Sequence, residues 1–164
     1  MNPDIETWAR RLGIKLQAHQ LMATTAESCT GGGVAYAITD ISGSSAWFDR
    51  SFITYTNVAK MQMLGVAESI LLVHGAVSRE VVSAMALGAL QHSVAQISVA
   101  ISGIAGPQGG TVDKPVGTVW FAWARSADPS ATLVTECFHL SGDRREIREQ
   151  AIEIALQGMC KLIQ

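Results

Sequence analysis

Three stretches of this sequence carry side chains that could do covalent chemistry. The first is Thr25-Ala26-Glu27-Ser28-Cys29-Thr30-Gly31-Gly32-Gly33. A hydroxyl at the end of an apolar run, followed by glycines, sits where free backbone N–H groups can stabilise an anion. The glycines also let a ligand approach the main chain. Two readings fit the spacing equally: a nucleophilic Ser28, or a tight turn that at most binds phosphate. Neither the G-x-S-x-G elbow nor the Walker A pattern is present.

The second stretch is Phe52-Ile53-Thr54-Tyr55-Thr56-Asn57-Val58-Ala59-Lys60. Tyr55 ends a run of β-formers, and Lys60 falls one turn into the helix that follows. The chain has only four lysines, and this one is placed beside the expected cleft. The competing reading is a solvated helix lysine, the commoner fate of that residue type.

The third is Ala100-Ile101-Ser102-Gly103-Ile104-Ala105-Gly106-Pro107-Gln108-Gly109-Gly110. Its four glycines and one proline imply a shaped backbone near a ligand or simply a long turn, and an ordered loop over the strand ends is the favoured of the two. The four histidines form no H-x-x-x-H or H-x-H pair, and Cys29, Cys137 and Cys160 form no C-x-x-C pair. No metal ligands and no Ser-His-Asp set can be read from such spacing. A nucleophilic Ser28 would therefore take a lysine as its base.

These stretches need elements to hold them. Asn2-Pro3 is a helix start, and Ile5, Trp8, Ala9, Leu12 and Leu16 follow at helical spacing. Strands are expected at Leu21–Thr25, Ser51–Tyr55, Ile97–Ile101, Gly117–Ala124 and Thr132–Leu140. Helices are expected at Val34–Ile38, at Asn57–Leu64 ending on Gly65, and at Arg79–Gln91 capped by Ser78. A last helix, capped by Ser141 or Asp143, carries Ile147, Ala151, Ile154, Ala155 and Leu162 as its apolar stripe. About seven turn-rich residues join the final two strands, too few for a parallel crossover, so that pair should be antiparallel. Strands alternating with helices and finished by a hairpin imply an α/β fold: a three-layer α/β/α sandwich with a mixed, mainly parallel sheet. In such sheets ligands bind beyond the carboxyl ends of the strands, where all three stretches lie.

Composition sets the frame. The 164 residues are 48% hydrophobic and 16% charged, a composition for a single well-buried domain spanning residues 1–164. Twelve basic residues against fourteen acidic ones leave a net charge of −2, which gives no footprint for nucleic acid. No apolar run reaches membrane-spanning length, and the N-terminus lacks a signal-type segment. The expectation is a cytoplasmic protein with a small-molecule substrate.

In order along the chain stand Thr25-Ala26-Glu27-Ser28-Cys29-Thr30-Gly31-Gly32, Tyr55 with Lys60, and Gly103-Ile104-Ala105-Gly106-Pro107. Lys114-Pro115-Val116-Gly117-Thr118-Val119 and Gly142-Asp143-Arg144 complete the series. Together they resemble the CinA C-terminal family from about residue 5 to the C-terminus. The family's stand-alone members include nicotinamide mononucleotide deamidases, and its larger members carry an extra N-terminal domain for which this chain has no room. The resemblance implies hydrolysis of nicotinamide mononucleotide to nicotinic acid mononucleotide and ammonia, without a cofactor or metal. It implies Ser28 as nucleophile, Lys60 as base and Tyr55 as its neighbour, orienting the lysine or relaying a proton. The N–H groups of Cys29, Thr30 and Gly31 are the oxyanion candidates, Gly32 completes the substrate-binding loop, and the resemblance implies that Ser102 and Gly103 line the pocket. Arg144 is the first candidate for the phosphate, against the reading of an exposed helix arginine. Family habit also implies a homodimer. Two other functions fit the same residues: a silent nucleotide-binding or regulatory paralogue, and a serine amidase for another small amide.

Overall fold

In a computed structural model, residues 1–127 and 130–164 are described; residues 128 and 129, in the join between the last two strands, lie outside. In chain order the elements are α1 (Pro3–Ala18), β1 (Ala23–Glu27), α2 (Gly33–Thr39), β2 (Phe48–Ile53), α3 (Asn57–Leu64), α4 (Glu68–His74), α5 (Arg79–Gln91), β3 (Ile97–Gly103), β4 (Thr118–Arg125), β5 (Thr132–His139) and α6 (Arg144–Leu162). One short 3-10 turn, Ser44–Ala46, precedes β2.

The strands form one sheet in the order β2-β1-β3-β4-β5. β1 pairs in parallel with both β2 and β3, whereas β3–β4 and β4–β5 are antiparallel. Four of the five strands therefore run the same way, and the sheet is mixed as expected. β3, buried at every residue but Gly103, lies at its centre.

The two faces differ in side-chain size. Ile97, Val99, Ile101, Phe121 and Trp123 face a layer containing α1, α2 and α6, where Leu12, Ile38 and Leu156 are fully buried. On the other face Ala26, Ala100, Ala122 and Ala124 share one buried cluster with Leu64, Leu71, Val82 and Met85; α5 lies on the strands, and α3 and α4 pack against α5. Alternation along each strand produces this division. The alanine face lets helices approach closely. At Gly88 of α5, an added Cβ would collide with the Leu64 carbonyl at the end of α3.

Helix ends follow the sequence signals. Asn2 caps α1 by accepting from Asp4 N–H, Ser78 caps α5, and Gly65 ends α3 at φ +69°. Of the two candidates for the last cap it is Asp143 that serves, within a reciprocal pair with Glu146. Three elements depart from the sequence reading. β1 is Ala23–Glu27 rather than Leu21–Thr25, because its ladder with β3 pairs Ala23 with Ile97 and Glu27 with Ile101. β2 is Phe48–Ile53, so Tyr55 lies beyond the strand, because Thr54 makes the last ladder bond and Thr56 already caps α3. The helix Glu68–His74 was not among the expected elements; it buries only Leu71 and exposes Leu72 and Val73, so no apolar stripe marks it.

Candidate active site

The sheet brings the ends of β1, β2 and β3 together. Glu27 is level with Ile53 and with Ile101. Ladder bonds from Thr54 N–H to the Glu27 carbonyl (2.8 Å) and from Ser28 N–H to the Ile101 carbonyl (3.0 Å) carry the pairing one residue further. Thr54, Ser28 and Ser102 thus form a row across three adjacent strand ends. Their alternation places them on the face covered by α3, α4 and α5. Thr54 Oγ1 and Ser102 Oγ are both buried without a hydrogen-bond partner among the described residues.

Lys60 reaches this row from the second turn of α3. Its Nζ donates to Ser28 Oγ at 3.0 Å and to the Thr54 carbonyl at 2.7 Å. The side chain is only 1% exposed, which excludes the solvated-lysine reading. It makes no ion pair with a carboxylate among the described residues. Burial disfavours the ammonium and, against a smaller opposing effect of Cys29, draws its pKa down from 10.5 to about 8. A substantial neutral fraction at mildly alkaline pH follows.

Glu27, next to Ser28, faces the opposite side of the sheet. Its Oε1 accepts from Thr30 Oγ1 (2.7 Å) and Val34 N–H (3.0 Å), and its Oε2 from Ala35 N–H (3.0 Å). The Thr25 and Ser51 hydroxyls lie 3.0 and 3.3 Å from Oε2. The buried carboxylate therefore ties β1, the glycine turn and the start of α2 into one unit, and is satisfied without Lys60. Gly32 caps α2 at φ +96°, a backbone state that glycine adopts freely.

The turn between Ser28 and Gly32 presents its own donors. Gly31 N–H is taken by the Ser28 carbonyl at 3.0 Å, and Gly33 N–H by the Thr30 carbonyl at 2.9 Å. The oxyanion candidates among the first three loop residues narrow to Cys29 and Thr30, whose N–H groups meet no carbonyl among the described residues. The Cys29 thiol is buried and pushed up to about 11, so it stays protonated and offers no rival nucleophile.

No hydrogen bond joins Tyr55 to Lys60 among the described residues. It is 59% exposed, and its hydroxyl accepts from Arg144 Nη2 at 2.9 Å. Strand-like alternation from Thr54 explains this: successive side chains point to opposite sides, so only one of the two can face Lys60. Orientation of the lysine comes instead from the Thr54 carbonyl. Arg144, the first residue of α6, also donates to the Gly106 carbonyl at 2.7 Å, in the glycine-rich loop that Ser102 and Gly103 open. A cleft of about 610 Å³ lies beside it, lined by Ala105, Pro107, Val116 and Arg145.

Three contributors to this arrangement were not singled out as site residues by sequence reasoning: Glu27, Thr54 and Arg148. Glu27 carries a readable signal, an acid ending an apolar strand just before a helix start. Arg148 stands four residues after Arg144 on α6, which puts both on one helix face. Thr54 acts through its carbonyl, which no side-chain pattern reveals. Among the described residues no group of three or more His, Cys, Asp or Glu side chains converges.

Comparison with known proteins shows the family of the chain. Residues 5–163 match the model of the CinA C-terminal domain. The chain is 56% identical over 151 residues to the nicotinamide-nucleotide amidohydrolase PncC of Escherichia coli strain K12, covering 92% of this chain and 90% of that one. It is 48% identical to the protein of the same name from Pseudomonas putida, over 99% and 98% of the two chains. The crystal structure of the competence/damage inducible protein CihA from Agrobacterium tumefaciens superposes with a TM-score of 0.95 at 45% identity, covering 100% of this chain and 98% of that one. The chain is a member of the CinA C-terminal domain family.

Proposed function

We propose that the protein hydrolyses the carboxamide of nicotinamide mononucleotide, releasing ammonia and nicotinic acid mononucleotide. The observation that carries this reading is the 3.0 Å contact between Ser28 Oγ and a buried lysine with a lowered pKa. The names of the relatives from Escherichia coli and Pseudomonas putida supply the substrate.

Neutral Lys60 accepts the Ser28 proton as Oγ attacks the carboxamide carbon. The carbonyl oxygen becomes an oxyanion held by loop N–H groups. Collapse of the tetrahedral intermediate breaks the C–N bond, and the Lys60 ammonium gives its proton to the leaving nitrogen, which departs as ammonia. Water then attacks the acyl–Ser28 ester with Lys60 again as base, and the nicotinate carboxylate leaves with the Ser28 hydroxyl restored. Arg144 meets the phosphate, with Tyr55 and Gly106 holding its guanidinium in place. Base, nucleophile and oxyanion donors all come from the chain, so the scheme needs no metal ion or cofactor.

The proposal places the enzyme in the cytoplasm, where its three unpaired cysteines would stay reduced. No described helix is long and apolar enough to cross a membrane. The test is ammonia release from nicotinamide mononucleotide, with the product identified by chromatography and nicotinamide, nicotinamide riboside and glutamine as competitors. Turnover of another amide with no turnover of the nucleotide would refute the substrate assignment.

A further inference from the structure

We infer that Arg148 is the positioning residue of the oxyanion site, and that the donor it sets is the backbone N–H of Thr30. This rests on the proposed serine mechanism and adds a residue to it.

Arg148 projects from the second turn of α6 onto the nucleophile loop. Its Nε donates to the Cys29 carbonyl at 3.0 Å and its Nη2 to the Thr30 carbonyl at 3.2 Å. The guanidinium is paired with no carboxylate among the described residues, so its charge is spent on two consecutive peptide groups. A trans peptide is planar, with C=O and N–H pointing in opposite directions. The Cys29 carbonyl and the Thr30 N–H belong to one such plane. Holding that carbonyl towards α6 turns the Thr30 N–H away from it. The layer containing α6 lies on one face of the sheet, and α3, which supplies Lys60 to Ser28 Oγ, lies on the other. The Thr30 N–H therefore turns towards the side where the tetrahedral oxygen forms, and no carbonyl of the described residues occupies it.

Two features make the plane rigid. The Thr30 hydroxyl is anchored on Glu27 at 2.7 Å, and the next peptide closes the turn through Gly31 N–H to the Ser28 carbonyl. A guanidinium on the carbonyl also polarises the amide, strengthening the N–H as a donor. Lysine at this position would keep the charge but lose the planar fork that meets two carbonyls at once.

The probe is a pyridylboronic acid, which forms a tetrahedral adduct on a nucleophilic serine. Wild-type protein should bind it, and Ser28→Ala should not; absence of any Ser28-dependent adduct would defeat the serine mechanism itself. Given the adduct, Arg148→Lys and Arg148→Met should each lose about ten- to a hundredfold in boronate affinity and lose kcat in parallel, with KM within about twofold. In nitrogen-labelled wild-type protein the Thr30 amide proton should move downfield when the adduct forms. A folded variant that binds boronate as tightly as wild type would overturn the inference, whatever its rate. So would a Thr30 amide that does not move, and that measurement decides the matter if neither variant folds.

Discussion

Arg144 Nη2 donates to the Tyr55 hydroxyl at 2.9 Å, and the same guanidinium holds the Gly106 carbonyl at 2.7 Å. One side chain thus joins the start of α6, the segment after β2 and the glycine-rich loop after β3. Lys60 takes no part, since its partners are Ser28 and Thr54. In the proposed mechanism the tyrosine therefore supports the arginine that meets the phosphate, and takes no part in proton transfer between Ser28 and Lys60.

Tyr55→Phe should therefore raise KM for the phosphorylated substrate roughly two- to tenfold, the worth of one hydrogen bond, and leave kcat little changed. The alkaline-rising limb of the pH profile should keep its midpoint. A shifted limb with a large loss of kcat would return Tyr55 to the proton chemistry.

Arg144→Ala should weaken nicotinamide mononucleotide far more than nicotinamide riboside. A charge-assisted contact is worth about 1.5–3 kcal/mol, or roughly ten- to a hundredfold in affinity. Equal losses for both ligands, read by calorimetry, would place the phosphate elsewhere and leave Arg144 as a clamp between Tyr55 and Gly106.

Gly88→Ala tests how the fold positions the lysine. The new methyl would press on the Leu64 carbonyl and push α3 off α5. Overpacking of this kind costs about 1–3 kcal/mol, and Tm should drop by roughly 3–10 °C. Because α3 carries Lys60, the rate should fall even at temperatures where the variant is fully folded. Full activity in a destabilised variant would mean that α3 tolerates the displacement.

Glu27→Gln replaces a carboxylate oxygen with an amide that cannot accept from Ala35 N–H. The expected loss is about 1–3 kcal/mol, measured by urea denaturation, because a buried donor is left without a partner. Unchanged stability would show that the N-terminus of α2 finds another acceptor.

Much of this architecture was legible because local chemistry and packing agreed. Asn2-Pro3, Ser78 and Asp143 announce helices, and Gly65 ends one, by mechanisms confined to a few residues. The apolar run Ile97–Ile101 marks a strand covered on both faces. What the sequence could not convey depends on alignment across strands. The row Thr54–Ser28–Ser102 exists only through the order β2-β1-β3 and its register. Burial of Lys60 depends on the same order, since α3 packs against β2 and against α5, which covers β1, β3 and β4. Arg148 reads as an ordinary helix arginine until α6 is laid against the Ser28 loop. Tyr55 could be singled out from the sequence, but its partner could not, because one step of alternation decides whether it meets Lys60 or Arg144.

The most direct measurement is the rate of ammonia release by Lys60→Arg as a function of pH, beside wild type. Lys60 is neutralised as pH rises through about 8, so the wild-type rate should climb through that range and level off above it. Arginine does not deprotonate there and cannot accept the Ser28 proton. Lys60→Arg should lose several orders of magnitude in rate and lose the rising limb, with circular dichroism showing a folded protein. Near-wild-type turnover by Lys60→Arg, with the limb intact, would contradict the Ser28–Lys60 mechanism.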